Sequence, residues 1–122
     1  MVVDNEIDIC NFVKSFFSIR GYEVATALNG DDALAKLLDE KPDLVLLDVT
    51  MRREKEGIEY LPQIKRMLPS VKVIMVTAIE DMETIEEART LGADDYITKP
   101  LVLEYLETAV FQKIKSLSNL TP

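Results

Sequence analysis

Short apolar runs alternate with stretches in which apolar residues recur every three or four positions, and this alternation repeats five times along the chain. The runs at residues 2–4, 22–27, 43–48, 71–77 and 95–98 have the length and β-branched content of strands. The intervening stretches have the stripe of an amphipathic helix, as in Ile9, Val13 and Phe16-Phe17 within residues 6–20. Strand and helix in strict alternation predict an α/β fold built on a parallel sheet. The run Leu44-Val45-Leu46-Leu47 is apolar at every position, which suits a central strand covered on both faces.

Punctuation residues agree with this division. Gly21 stops the first helix where a left-handed cap costs least, and Asn29-Gly30-Asp31 offers a cap for a second helix reaching Asp39 or Glu40. Pro42 ends that helix. A charged loop covers residues 49–56, Gly57 precedes a third helix running to about Leu68, and Pro69-Ser70 closes it. Pro62 is expected in the first turn or two of that helix. A fourth helix covers residues 81–91 with Gly92 as its C-cap, and a fifth covers residues 101–117. Residues 118–122 read as a frayed tail, so one domain is expected over residues 1–117. The first strand, about three residues long, is short against the usual five or six.

Four of the runs end on, or lead straight into, a residue with usable chemistry: Asp4, Asp48, Thr77 and Lys99. Ligands of open parallel sheets bind in the crevice outside the carboxyl ends of the strands. If these strands are neighbours, two carboxylates, a hydroxyl and an ammonium meet there. Taken singly, Asp48 reads as an ordinary strand-terminal Asp, Thr77 as a β-branched strand residue and Lys99 as a solvated surface charge. Taken together, two strand-end carboxylates repel unless a hard cation such as Mg²⁺ lies between them. A carboxylate attacking a phosphoryl group needs a cation, an ammonium and a hydroxyl donor around its target. Lys99 precedes Pro100, and a cis bond there would fix how the lysine is aimed.

Composition narrows the function classes. The chain has 122 residues, 48% apolar and 30% charged, which suits one folded domain that buries roughly two thirds of its unfolded surface. Its 22 acidic and 14 basic residues leave a net charge of −8, with no basic cluster for nucleic acid; Arg52-Arg53 is followed at once by Glu54 and Glu56. No apolar run approaches the ~18 residues of a membrane span, and the first residues are too acidic for a signal peptide, so a cytoplasmic address is expected. The absence of histidine excludes His-dependent triads, His-ligated zinc and a phosphohistidine within this chain. The single cysteine, Cys10, lies on the first helix's apolar stripe and reads as a buried thiol.

The ordered set Val3-Asp4-Asn5-Glu6, Leu44 to Asp48, Val73 to Ala78 and Gly92 to Pro100 resembles a response-regulator receiver domain, the phosphoacceptor half of two-component signalling. The resemblance implies a flavodoxin-like (βα)5 three-layer sandwich with a sheet of order 2-1-3-4-5. It implies that Asp48 is phosphorylated by a sensor histidine kinase or phosphotransfer protein with Mg²⁺ as cofactor, and that Thr77 and Lys99 bind the phosphoryl oxygens. Asp4, Asn5, Asp48 and the main-chain carbonyl of Thr50 would hold the metal. Tyr96 would be the aromatic whose rotation tracks Thr77. Thr50 and Ile79 would border the path of a hydrolytic water; neither carries a carboxylate or amide side chain, so a slowly hydrolysed phosphoryl group is expected.

Two features depart from the family pattern, one at the first strand's end and one in the loop after Asp48. Asn5 stands where a second acidic residue is usual, so it brings an amide oxygen but no charge. After Asp48, Met51 is followed by Arg52 where proline is usual, and Gly57 comes one residue late. These departures support a second reading, a receiver-like interaction domain that works without phosphorylation. A flavodoxin-type cofactor binder is disfavoured, because Asp4-Asn5-Glu6 would repel a bare phosphate. Nothing supplies a general base for an independent enzyme. On the fifth helix, Leu103, Leu106, Val110, Ile114 and Leu117 form a stripe expected to pack on the sheet. Val102, Tyr105, Ala109, Gln112 and Ser116 form an opposite stripe with one exposed aromatic. That stripe lies within the surface of fourth helix, fifth strand and fifth helix through which receivers dock a kinase, an effector or a second copy. No effector domain follows the fifth helix, so a stand-alone receiver or one excised from a longer protein is expected.

Overall fold

The computed structural model describes residues 1–77 and 82–118. Five parallel strands, β1 (Val2–Val3), β2 (Thr26–Ala27), β3 (Leu44–Asp48), β4 (Lys72–Thr77) and β5 (Asp95–Thr98), lie side by side in the order β2-β1-β3-β4-β5. Between them run α1 (Ile7–Ile19), α2 (Gly30–Glu40), α3 (Glu56–Met67) and α4 (Met82–Thr90). The last helix, α5, covers residues 103–118: an α turn at Leu103–Tyr105, a π segment at Leu106–Val110 and an α-helix over Phe111–Ser118. Ala78, Ile79 and residues 119–122 of the expected tail lie outside the described residues.

The three layers follow from strand periodicity. Successive side chains of a strand point to opposite faces, and here Val45, Leu47, Val73 and Met75 join Leu37, Leu61 and Ile64 of α2 and α3 on one face. Leu44, Leu46, Ile74 and Val76 join Val13, Phe16 and Phe17 of α1 and Leu106, Val110 and Ile114 of α5 on the other. Every residue of β3 is buried, as its unbroken apolar run predicts. Leu47 and Ile74 are fully enclosed, each contributing about 2 kcal/mol from removal of its side chain from water.

Local chemistry closes the elements as expected. Asn29 caps α2, its side chain accepting from the Asp32 amide at 2.8 Å. Gly21 and Gly92 take φ of 92° and 110° after α1 and α4, values that L-residues with a Cβ rarely adopt. Pro62 lies inside α3, in its second turn.

Three expectations need correction. The second strand pairs only over Thr26–Ala27, which stand opposite Val2 and Val3 of β1, so Tyr22 to Ala25 are not part of it. Helix α3 begins at Glu56, so Gly57 is its second residue rather than its predecessor. On α5, Leu103 is 52% exposed, whereas Tyr105 is half-buried and packs against the α1–α5 face of the core. Leu106, Val110 and Ile114 of the same expected stripe are buried against the sheet. The Tyr105 hydroxyl accepts from the Thr98 amide at 3.1 Å, which ties α5 to the end of β5.

Candidate functional site

Parallel strands put all their carboxyl ends on one edge of the sheet, and the pairing of β1, β3, β4 and β5 brings the four singled-out positions together there. Asp4 follows β1, Asp48 ends β3, Thr77 ends β4 opposite Thr98, and Lys99 follows β5. Asp4 and Asp48 are each 2% exposed, and Thr77 is 7% exposed. The Lys99 ammonium reaches both carboxylates, at 3.1 Å from Asp4 Oδ2 and 2.9 Å from Asp48 Oδ2. Its backbone is anchored as well, the Lys99 amide donating to the Thr77 carbonyl at 2.8 Å. The Lys99-Pro100 bond is cis.

Each carboxylate has a second oxygen held by backbone. The Glu6 amide donates to Asp4 Oδ1 at 2.9 Å, and the Thr50 amide to Asp48 Oδ1 at 3.3 Å. Asp4 is further fixed through its carbonyl, which accepts from the Cys10 thiol at 3.3 Å. Cys10 is buried as expected, and burial with the nearby Asp4 charge pushes its thiol pKa up, away from thiolate chemistry.

Two carboxylates share one ammonium, so the pocket retains a net charge of about −1 when all three are ionised. Burial pushes the Asp48 pKa up to about 6; the Lys99 hydrogen bond opposes this and the Asp4 charge reinforces it. For Lys99, burial acts to lower the pKa, but its bonds to Asp48 and Asp4 prevail and raise it. Burial therefore leads for Asp48, whereas for Lys99 the two carboxylates outweigh it.

The groups that could hold a cation at this edge are hard oxygens: the two carboxylates, with the Asn5 amide and the Thr50 main chain next to them in sequence. Among the described residues no cluster of three or more His, Cys, Asp or Glu is present that could hold a metal ion. Magnesium sites are commonly built this way, from one or two carboxylates with retained waters and substrate phosphate. The residues therefore fit Mg²⁺, and the ammonium already lying between the two carboxylates marks where they favour positive charge. Asn5 and Thr50 are exposed at the same edge, flanking the two aspartates in sequence.

Tyr96 does not enter this cluster. It lies half-buried in β5 opposite Met75, and it lines a small cavity with Thr77, Val49, Ile85 and Ala88. Two residues whose roles the sequence did not reveal shape the loop beyond Asp48. Gly57 lies so close to the strand end that a Cβ there would stand 2.0 Å from the Asp48 carbonyl oxygen and 3.0 Å from Val49 Cα. Glu56 is the one acidic residue of the loop with a fully buried side chain, and it binds Arg52. The four-residue spacing of Arg52 and Glu56 was its only signal in the sequence.

Comparison with known proteins agrees with this geometry. The response regulator receiver domain family matches residues 1–111. The transcriptional regulatory protein ZraR of Salmonella typhimurium is 39% identical over 107 residues, which cover 88% of this chain and 24% of that protein. The chain thus spans about a quarter of that relative's length. The crystal structure of the receiver domain of NtrX from Brucella abortus is 34% identical, covering 94% of this chain and 97% of that one with a TM-score of 0.80. A CheX-CheY-BeF3-Mg²⁺ complex from Borrelia burgdorferi matches at 28% identity and a TM-score of 0.82, over 94% of this chain and 84% of that one. The chain belongs to the response regulator receiver domain family of two-component signalling.

Proposed function

We propose that Asp48 is the phosphoacceptor of this receiver, taking a phosphoryl group from the phosphohistidine of a partner kinase or phosphotransfer protein in the cytoplasm. A carboxylate oxygen of Asp48 bonds to phosphorus as the phosphorus–nitrogen bond breaks, and the histidine leaves with the electron pair. The observation that carries this reading is the sharing of Lys99 between two buried carboxylates, which leaves the pocket in need of one more positive charge. Bound Mg²⁺, held by Asp4, Asn5, Asp48 and the Thr50 carbonyl, would supply that charge and offset the repulsion between carboxylate and phosphoryl oxygens. Lys99 then moves from pairing with Asp48 to a phosphoryl oxygen, and the Thr77 hydroxyl donates to another. Tyr96, which shares a cavity with Thr77, carries that change toward the surface of α4, β5 and α5, where an effector or a second copy docks. The domain covers residues 1–117.

Treating the protein with a small acyl phosphate and Mg²⁺ tests the reading. Intact mass should rise by one phosphoryl unit in the parent and stay unchanged in Asp48→Asn or when Mg²⁺ is chelated. Equal labelling of Asp48→Asn rejects the assignment. A receiver-like interaction domain working without phosphorylation is favoured by the uncharged Asn5 beside the site and by the altered loop after Asp48, and predicts neither labelling nor Mg²⁺ binding.

Asn5→Asp is expected to tighten Mg²⁺ binding roughly tenfold, since it adds a full charge close to a divalent ion in a partly desolvated site. A calorimetric titration of the two proteins measures this, and equal affinities would remove Asn5 from the ligand set.

A further inference from the structure

The loop between β3 and α3 carries Thr50, and its shape depends on Glu56. This side chain is 0% exposed, and a buried carboxylate is costly unless its acceptor sites are filled. Glu56 fills them from one short stretch. Its Oε1 accepts from the backbone amides of Arg52 at 3.1 Å and Arg53 at 3.2 Å, and its Oε2 accepts from Arg52 Nη2 at 2.9 Å. The Arg52 guanidinium, half-exposed, also lies 3.9 Å from Asp31 on the first turn of α2.

The next residue along the chain pins the loop's other end. The Gly57 amide donates to the Val49 carbonyl at 2.9 Å, and its Cα packs on the Asp48 carbonyl with no room for a side chain. Glu56 and Gly57 thus hold residues 52–53 and 48–49 at adjacent points on one helix start. Thr50 lies between the two pins, its own amide bound to Asp48 Oδ1. Peptide planes are rigid, so fixing both ends over so few residues restricts where the Thr50 carbonyl faces.

We infer that Glu56 is a positioning residue for the cation site: its buried, charge-assisted clamp on Arg52 and Arg53 holds the loop so that the Thr50 carbonyl faces the Asp4–Asp48 pair. This rests on the reading of Thr50 as a metal ligand. Partners that orient ligands from outside the coordination sphere typically change metal affinity 10- to 100-fold when replaced. Glu56→Gln keeps the size and one acceptor but loses the charge and opposes an amide NH₂ to the guanidinium.

The test is a calorimetric Mg²⁺ titration of the unphosphorylated protein, with amide hydrogen exchange on the metal-free protein. Glu56→Gln should bind Mg²⁺ about tenfold more weakly than the parent, and the amides of Arg52 and Arg53 should lose protection. Ile64→Val, a core change on the same helix, should lower stability without changing Mg²⁺ affinity, a split that a purely structural role for Glu56 would not produce. Parent-like affinity in Glu56→Gln overturns the inference. Should Glu56→Gln fail to fold, half-exposed Arg52 carries the test: Arg52→Gln should weaken binding several-fold, and parent-like affinity there overturns it equally. A parent that binds no Mg²⁺ would instead refute the proposed function, and this inference with it.

Discussion

Gly57→Ala is expected to lower the stability of the domain by about 3 kcal/mol, the upper end of what an over-packed methyl group costs. The new Cβ would sit 2.0 Å from the Asp48 carbonyl oxygen, 2.9 Å from its carbon and 3.0 Å from Val49 Cα. All three atoms are backbone, so no side chain can swing away. Either α3 lifts from the sheet, breaking the bond from the Gly57 amide to the Val49 carbonyl, or the end of β3 moves and takes Asp48 with it. A thermal melt should show a midpoint lower by roughly 10 °C. Mg²⁺ affinity should fall in parallel, because the same backbone carries Asp48 and Thr50. A midpoint within about 2 °C of the parent would mean that the close approach is relieved at negligible cost.

Asp48→Asn should act in the opposite direction and stabilise the fold. A carboxyl group raised from 3.8 to about 6 on folding binds protons more tightly in the native state. Its effect is therefore absent below the unfolded value, and stability falls as pH rises from about 4 to about 6, staying low above that range. Asparagine does not titrate, so it removes this loss. The ceiling is about 3 kcal/mol at neutral pH. The gain should be smaller, about 1–2 kcal/mol, because the substituted amide no longer offers Lys99 a charged partner and only Asp4, at 3.1 Å, remains. Chemical denaturation at pH 5 and pH 7.5 in metal-free buffer measures it. The variant should exceed the parent by more at pH 7.5 than at pH 5; equal differences at the two pH values contradict the origin assigned to the effect.

Much of this was legible in the sequence because it rests on local period and strand ends. The alternation along residues 44–47 and 73–76 sends side chains to two different helical layers, and that alone predicts helices on both faces of the sheet. Asp4, Asp48 and Lys99 could be grouped because parallel strands share one carboxyl edge. What escaped depends on neighbours distant in sequence. The extent of β2 depends on its pairing with β1, which no pattern within residues 22–27 reports. Leu103 opens α5 and is exposed, whereas Tyr105 is held by the Thr98 amide at the end of β5, a contact that no periodicity within α5 reports. Gly57 looked like a helix boundary, yet its role is the contact with Asp48 nine residues earlier. Glu56 looked like part of a solvated charge run until its three donors were in view.

On the proposed reaction Asp48, and not Asp4, receives the phosphoryl group. Asp4 and Asp48 are equally buried and both touch Lys99, so a mass change alone does not distinguish them. Borohydride reduces an acyl phosphate to the alcohol and converts a phosphorylated aspartate into homoserine, and peptide mass mapping then locates it. After treatment with a small acyl phosphate and Mg²⁺, homoserine should appear at position 48 in the peptide spanning β3 and at no other aspartate. Homoserine at position 4, or none in protein that has bound Mg²⁺, would contradict the account.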